Sequence, residues 1–164
     1  MKIVAYDPNL DDQNFSKLQN AYLKLFNEKD SLKYISISGV NFDSRTITAF
    51  LKNSRQEEVK YYVALSSQND IIGISAFKSD LTKGFEIIGT IVHKNHRFRG
   101  VGKALIDEGL ELAKRKGYKT VDIYVFADNK DKLILLIKNG FKPVTIENHA
   151  RFDGEDLIHL KKYF

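Results

Sequence analysis

The 164-residue chain contains no cysteine, which excludes disulfides, thiolate metal sites and a covalent thiol mechanism, and its length suits one domain. Its formal net charge of +5 is compatible with a nucleic acid, a polyanionic cofactor or a well-solvated surface, and no basic block is interleaved with aromatic residues. Because no apolar run is long enough for a signal-peptide core or a membrane span, we expect one soluble cytoplasmic domain over residues 1–164, without a membrane partner.

The first half of the chain predicts an N-terminal strand, two helices and a β-hairpin. Residues 2–6 alternate like a strand, and after Asp11 the apolar residues recur with helical spacing. A second helix is predicted after Asp43, which follows an irregular loop over residues 31–42. Two alternating runs on either side of a polar turn then predict the hairpin. Its strands cover residues 60–66 and 71–77.

The second half of the chain predicts strands and helices in turn. A buried strand over residues 85–92 leads to a helix that begins at Gly100 and ends in a basic turn before Gly117. The apolar run 133–137 is compatible with a strand, but the polar caps on both sides of it favour a helix that starts at Asn129. The remaining strands cover residues 120–126, 141–147 and 156–162. Together these elements predict an α/β (α+β) fold.

The turn before the helix at residue 100 has the composition of a phosphate site. Residues 96–105, His-Arg-Phe-Arg-Gly-Val-Gly-Lys-Ala-Leu, place glycines and cations at a helix start, where backbone amides and the helix dipole attract anions. Arg97 and Ala104 occupy positions where an ATPase phosphate loop requires glycine and Ser or Thr, and Leu105 replaces the third glycine of a dinucleotide fingerprint. A plain strand-to-helix turn is the alternative, but Lys103, a cation at the positive end of a helix dipole, favours a bound phosphate.

From residue 85 to residue 144 the order of motifs resembles the GNAT acetyltransferase superfamily, whose members bind acetyl-CoA. Residues 97–102, Arg-Phe-Arg-Gly-Val-Gly, are similar to the family's pyrophosphate loop. Asn129 occupies the place of its cofactor-contacting asparagine, and Gly140 with Phe141 resembles its closing pair. The segments on either side of this region resemble the family only in the order of their elements. The resemblance implies a single acetyltransferase domain with a mixed, mostly antiparallel sheet of six to seven strands and about four helices.

The resemblance also implies that acetyl-CoA binds at this loop. In the family, the loop holds the pyrophosphate, and the backbone of the preceding strand, here near Ile91 and Val92, pairs with the pantetheine arm. Positive charge at a glycine turn suits the phosphates of coenzyme A on physical grounds as well. The implied cofactor-binding residues are Ile91, Val92, Arg97, Phe98, Arg99, Gly100, Val101, Gly102, Lys103 and Asn129.

Glu86 is the candidate general base. It interrupts an apolar strand eleven residues before Arg97, a placement similar to that of the general-base glutamate in the histone-acetylating branch of the family. Strict alternation places its side chain on the face of Ile88, Thr90 and Val92. The alternative is a glutamate that faces solvent at the end of a strand.

Tyr124 is the candidate general acid. The family's usual acid is a tyrosine seven residues after the asparagine, but that position is Leu136, which cannot donate a proton. Tyr124 on the neighbouring strand is a substitute, with cross-strand packing as its alternative role and water as the alternative proton source. Members that acetylate protein N-termini often carry glutamate where Tyr124 stands, so a ribosomal-protein N-terminal acetyltransferase is less favoured.

The resemblance places acceptor contacts around residues 34–43 and 149–156. In these segments Asp43, Asp153 and Glu155 could attract a cationic amine, although acidic loop residues are commonly only solvated. The histidines lack the paired spacing of metal ligands, so no metal is expected, and we interpret them as packing or solvated residues. They are His93, His96, His149 and His159.

The leading hypothesis is an N-acetyltransferase in which a primary amine of a small molecule or a protein attacks acetyl-CoA directly in a ternary complex. Because the usual tyrosine is absent at Leu136, a second hypothesis is a module that binds coenzyme A with little or no catalysis. A basic nucleic-acid-binding domain is the weakest of the three, since the cations are spread along the chain. The sequence leaves open whether the chain forms a homodimer.

Overall fold

The computed structural model describes the backbone of residues 1–164 and every side chain except that of Arg55. Among the described residues, the strands are β1 (Lys2–Tyr6), β2 (Lys60–Leu65), β3 (Ile71–Asp80), β4 (Gly84–Val92), β5 (Thr120–Phe126), β6 (Lys142–Glu147) and β7 (Leu157–Tyr163). The α-helices are α1 (Asp12–Phe26), α2 (Lys29–Leu32), α3 (Ser44–Gln56), α4 (Val101–Arg115) and α5 (Lys130–Lys138), and a 3-10 turn covers Lys94–His96. None of the described helices is both long enough and apolar enough to cross a membrane.

The strands form one mixed sheet in the order β1-β2-β3-β4-β5-β7-β6. Neighbouring strands are antiparallel except for β4 and β5, which run parallel and are joined by a crossover through α4. The predicted mixed, mostly antiparallel sheet of six to seven strands is therefore confirmed. The sequence analysis missed α2, which overlaps the predicted loop over residues 31–42, because four residues are too few to show a helical period.

Polar side chains define the starts of three helices, and α4 differs from them. Asp11 and Asp43 accept hydrogen bonds from the backbone amide three residues later, at 2.6 and 2.7 Å. Asn129 makes the equivalent contact at the start of α5. Gly100 precedes α4 with a left-handed backbone, φ +80°, and has no side chain with which to cap the first amides of the helix. Those amides are therefore available to a ligand.

Helices pack on both faces of the sheet. On one face, α4 and α5 cover a buried cluster that includes Phe77, Phe85, Ile106 and Leu136. On the other face, α1 and α3 cover a second cluster around strands β2 to β4. This second cluster includes Leu18, Tyr22, Leu51, Tyr61 and Val63. Gly109 lets α4 approach the sheet closely, since a Cβ atom at this position would lie 2.3 Å from the ring of Phe77.

A β-bulge in β4 changes the face on which Glu86 lies. The register of β4 against β3 shifts just after Ile87, which leaves Ile88 as an extra residue. As a result Ile87 and Val92 both pack towards α4, although strict alternation would place them on opposite faces. Glu86 shares the α1 face with Ile88, so the prediction that it also shares a face with Thr90 and Val92 is wrong.

Candidate active site

A cleft of about 470 Å³ opens beside β4 at the starts of two helices, and we call it the interhelical cleft. Its walls are the end of β4, the first turns of α4 and α5, and the segment that contains α2. The volume lies within the range of about 300–1,000 Å³ that is typical of small-ligand sites. Its lining residues include Ser31, Thr90, Val92, Arg97, Lys103 and Lys132.

Strands β4 and β5 separate beside this cleft. Their parallel pairing ends at Ile87 and Ile123, whereas β4 continues for five more residues to Val92. In the described pairings, this last part of β4 bonds only to β3. The end of β4, which contains the predicted cofactor contacts Ile91 and Val92, thus presents an edge without a neighbouring strand. The carbonyl of Val92 bonds to Arg97, and an extended ligand can add to the rest of this edge like a strand.

Arg97 is anchored to the protein on both sides of the cleft. Its Nε donates a hydrogen bond to the carbonyl of Val92 at 3.0 Å. One terminal nitrogen donates to the Glu28 carboxylate at 3.0 Å and to the Ser31 hydroxyl at 2.7 Å. These bonds tie the loop after β4 to the segment that leads into α2. The guanidinium therefore shapes the loop, and Glu28 balances its charge.

The tip of the loop turns sharply into α4. Phe98 and Gly100 both have left-handed backbones, at φ +58° and +80°, and the Phe98 side chain is 86% exposed. Arg99 between them is also exposed. A Cβ atom at Gly102 would lie 3.7 Å from Val92, so the first turn of α4 approaches the free edge of β4 closely. This arrangement brings the open amides of α4 to the interhelical cleft, where an anion can bind.

A group of polar side chains lies on the sheet face opposite α4, across β4, β5 and β7. Glu86 and Asp122 are neighbours in the pairing of β4 with β5. Asp122 Oδ1 lies 2.6 Å from Nε2 of His159 and 3.1 Å from Nζ of Lys161. The ring of Tyr124 stacks on that of His159, with centroids 4.6 Å apart. We call these five residues the β5 polar cluster.

The β5 polar cluster changes the acidity of both predicted catalytic residues. Burial, and then the nearby charge of Asp122, raises the pKa of the Glu86 carboxyl, while Lys78 and His159 oppose this shift. Burial also raises the pKa of the Tyr124 hydroxyl, and the charges of Glu86 and Asp122 add to the effect. A carboxylate of raised pKa is a better proton acceptor, and a phenol of raised pKa stays protonated at neutral pH.

Leu136 belongs to the hydrophobic core. Its side chain is fully buried in the cluster beneath α4 and α5. The preceding residue, Leu135, lines the interhelical cleft instead. The position of the family's usual tyrosine is thus occupied by a packing residue, and α5 presents no phenol there.

Arg151 joins three loops next to the carboxyl end of β5, on the side of the interhelical cleft formed by Asn129 and Tyr34. Its guanidinium, with the side chain 2% exposed, donates to Asp128 at 2.7 Å, to Asp153 at 2.7 Å and to the carbonyl of Lys33 at 2.8 Å. The hydrogen bond that Asp153 accepts from Arg151 lowers the pKa of the Asp153 carboxyl, and the backbone amide of Glu155 adds to this effect. Glu155 lies 4.0 Å from the same guanidinium.

The acidic residues that were expected to attract an amine therefore have structural partners. Asp153 and Glu155 face Arg151, as described above. Asp43 caps α3, and hydrogen bonds from the backbone and side chain of Thr46 lower the pKa of its carboxyl. The carboxylate that lies beside the predicted base Glu86 is instead that of Asp122 in the β5 polar cluster.

The sequence analysis missed Asp122 and His159. Both alternate with buried residues of their strands, so periodicity alone assigns them to the polar faces of β5 and β7. Nothing local shows that β7 inserts between β5 and β6, which is what pairs the two side chains. The interpretation of His159 as a packing or solvated residue is accordingly replaced by a hydrogen-bonded role. Within the described residues, His, Asp and Glu side chains form no group of three that could hold a metal ion.

Comparison with known proteins gives consistent matches. Residues 20–141 match the model of the acetyltransferase (GNAT) family. The chain is 28% identical over 134 residues to acetyltransferase PseH of Campylobacter jejuni, covering 79% of this chain and 82% of that protein. It is 28% identical over 122 residues to spermidine N(1)-acetyltransferase of Thermoplasma acidophilum, covering 68% and 72%. A solved phosphinothricin acetyltransferase from Sinorhizobium meliloti, in complex with AcCoA, superposes with a TM-score of 0.81 at 13% identity, covering 99% and 88%.

Proposed function

This chain belongs to the GNAT acetyltransferase family, and we propose that it transfers the acetyl group of acetyl-CoA to a primary amine by direct attack in a ternary complex. The observation that carries this proposal is the separation of β4 from β5 beside the interhelical cleft. It provides a free strand edge for an extended arm and open helix amides for phosphates in one continuous site.

The residues around the cleft fit coenzyme A. The amides of Val101, Gly102 and Lys103 at the start of α4 suit a pyrophosphate, and the exposed Arg99 adds a positive charge at the rim. The other predicted cofactor contacts are the backbone of β4 at Ile91 and Val92, the turn at Phe98 and Gly100, and the side chains of Arg97 and Asn129. Asn129 uses its Oδ1 to cap α5, so its amide nitrogen is the group that it can present to the ligand.

The polar cluster supplies the acid–base chemistry of the proposal. Acetyl-CoA contributes a thioester, which is activated towards an amine and whose thiol has a pKa of about 8.5. Glu86 accepts the proton that the acceptor ammonium must lose before its nitrogen can bond to the acetyl carbon. Tyr124 or water returns a proton to the sulfur as the carbon–sulfur bond breaks. Asp122, held by His159 and Lys161, raises the basicity of Glu86.

The acceptor is assigned no further than a primary amine. The relative from Thermoplasma acidophilum is named for spermidine, a polyamine, and we take from it only the chemical class of the acceptor. A small molecule and a protein side chain both remain within that class.

A thermal-shift panel tests the proposal. The ligands are acetyl-CoA, coenzyme A and a short oligonucleotide, each added at about a hundred times a typical Kd. At this excess a specific ligand raises the free energy of unfolding by about 2.7 kcal/mol. We expect stabilisation by both coenzyme A species and none by the oligonucleotide, followed by thiol release when a primary amine is added. Stabilisation by the oligonucleotide alone contradicts the proposal, and stabilisation by acetyl-CoA without thiol release from any amine indicates a cofactor-binding module.

A further inference from the structure

Three cationic side chains line the interhelical cleft, and two of them have carboxylate partners. Arg97 pairs with Glu28 at 3.0 Å, and Lys103 pairs with Asp107, one turn further along α4, at 2.6 Å. The third is Lys132 in the first turn of α5. The ion pairs that the described side chains make within 4.0 Å do not include Lys132. Among the described side chains, therefore, no carboxylate oxygen lies within 4.0 Å of its ammonium.

The position of Lys132 makes this charge unusual. It is the third residue of α5, as Lys103 is of α4, so both lysines lie at positive ends of helix dipoles, where a cation is unfavourable. The residue four positions later on α5 is the apolar Leu136, so the helix offers no counterpart of Asp107. Side chains on a helix lean towards its N-terminus, which directs Lys132 towards the end of α5 that borders the cleft.

Burial adds to the cost of this charge. Desolvation by burial lowers the pKa of the Lys132 ammonium to about 8. The other titratable groups that line the cleft are Asp30 in α2, Tyr34 after α2, Arg97 in the loop, Lys103 on α4 and Asp131 next to Lys132 on α5. A partly buried cation of this kind gains more from a bound anion than a solvated or already paired one does.

We propose that Lys132 binds a phosphate group of coenzyme A in the interhelical cleft. The inference rests on the proposed function, because it requires that the cleft holds coenzyme A. It assigns a phosphate contact to α5, whereas the sequence pattern places the phosphate-binding charges at Arg97, Arg99 and Lys103.

The proposal has a defined dependence on pH. A bound phosphate raises the pKa of Lys132 above its value in the free protein. Below about pH 7 the Lys132 ammonium is charged in both the free protein and the complex. In this range Lys132 therefore causes no change of acetyl-CoA affinity with pH. Above about pH 8 the free protein has lost the proton that the complex retains, so affinity falls as pH rises. Near pH 8 part of a proton is therefore taken up for each cofactor bound.

The test measures the binding of acetyl-CoA by calorimetry, without an acceptor amine. Titrations at about pH 8 in two buffers of different ionisation enthalpy, both free of phosphate and primary amines, give the proton uptake. Lys132→Met is expected to weaken binding about tenfold to a hundredfold and to abolish the uptake, because a charge-assisted hydrogen bond is lost. Lys132→Arg keeps the charge but does not titrate, so it should retain affinity and lose the uptake. Lys130→Met, an exposed lysine in the same turn, is the matched control and should behave like the parent.

Two shortened ligands distinguish which phosphate is bound. If Lys132→Met loses affinity for acetyl-CoA but not for acetyl-dephospho-CoA, Lys132 contacts the ribose phosphate; equal losses for both place it at the pyrophosphate. S-Acetylpantetheine, which has no phosphate, should bind the parent and Lys132→Met equally. A parent that binds no coenzyme A contradicts the proposed function itself. A parent that binds acetyl-CoA while Lys132→Met stays within twofold of it, with unchanged proton uptake, overturns only the role of Lys132.

Discussion

The chemistry of single residues in this site is decided by what lies beside them. Glu86 and Asp122 are both carboxylates on adjacent strands, but they are not equivalent. Asp122 lies within hydrogen-bond distance of His159 and Lys161, whereas burial and the Asp122 charge raise the pKa of Glu86. When two acidic groups differ in this way, the one of raised pKa is suited to exchange protons.

We expect Glu86→Gln to lower turnover by about 10²–10⁴, because the amide keeps the size of the side chain but cannot accept a proton. Acetyl-CoA affinity should stay unchanged. The rate of the parent should rise with pH through the raised pKa of Glu86, above the ordinary value of 4.5, and this acidic limb should be absent from the variant. Thiol release across pH measures both effects.

Glu111→Gln, on the exposed side of α4, is the control for loss of a carboxylate and should match the parent. If Glu86→Gln turns over within threefold of the parent at every pH, Glu86 is not the base.

At the scale of elements, the loop after β4 is held by contacts with a distant part of the chain. Arg97 bonds to Val92 at the end of the preceding strand, β4, and also to Glu28, which precedes α2, and Ser31, which lies in it. Glu28 also accepts a hydrogen bond from the backbone of Lys94 at 3.2 Å. The orientation of the first amides of α4 thus depends on a residue outside the motif.

We expect Arg97→Gln and Glu28→Gln each to lower the free energy of unfolding by about 1–2 kcal/mol and to weaken acetyl-CoA binding. Because the two side chains share one interaction, the double variant should lose less than the sum of the single losses.

Arg99→Gln should weaken binding in a salt-dependent way with unchanged stability, because its side chain is exposed. Urea denaturation measures the free energy of unfolding, and calorimetry at two salt concentrations measures acetyl-CoA binding. Together they distinguish the structural role of Arg97 and Glu28 from the phosphate-binding role of Arg99. Full stability of Arg97→Gln would show that Arg97 is a phosphate ligand only.

At the scale of the whole molecule, Arg151 connects segments that are far apart in the chain. It bonds to the carbonyl of Lys33 across 118 residues and to Asp128 across 23. The amide of Phe152 adds a bond to the carbonyl of Ile37 at 2.9 Å. These bonds connect the loop between β6 and β7 to the loop before α5 and to the loop after α2. The three loops are thus held together at the end of the sheet that lies next to the proposed acceptor side.

We expect Arg151→Gln to lower the free energy of unfolding by about 1.5–3 kcal/mol at neutral pH, since several charge-assisted bonds are lost. The pKa of Asp153 is lowered in the fold, so this contribution is present above the ordinary pKa of aspartate and is lost as pH falls below it. The difference between parent and variant should therefore shrink between about pH 5 and about pH 3. Urea denaturation at several pH values measures it, with Arg45→Gln as an exposed control. A difference that is constant with pH would contradict the role of Asp153.

Much of the fold is predictable from the sequence because its signals are local. The caps Asp11, Asp43 and Asn129 and the alternation of apolar residues place the longer helices and all seven strands within a few residues of their bounds. The phosphate-type loop is likewise a local motif, since glycines at a helix start determine which amides are open. These features depend on residues a few positions apart, and the sequence by itself determines them.

The tertiary structure alone decides which side chains meet. The bulge at Ile88 assigns Glu86 to its face, the insertion of β7 beside β5 brings His159 to Asp122, and the packing of α2 gives Arg97 its partner Glu28. The same packing leaves Lys132 as the cleft-lining cation that makes no ion pair with a described carboxylate. Each of these outcomes depends on strand order, register and helix packing between residues far apart in the chain, and a periodic pattern within one segment contains no information about them.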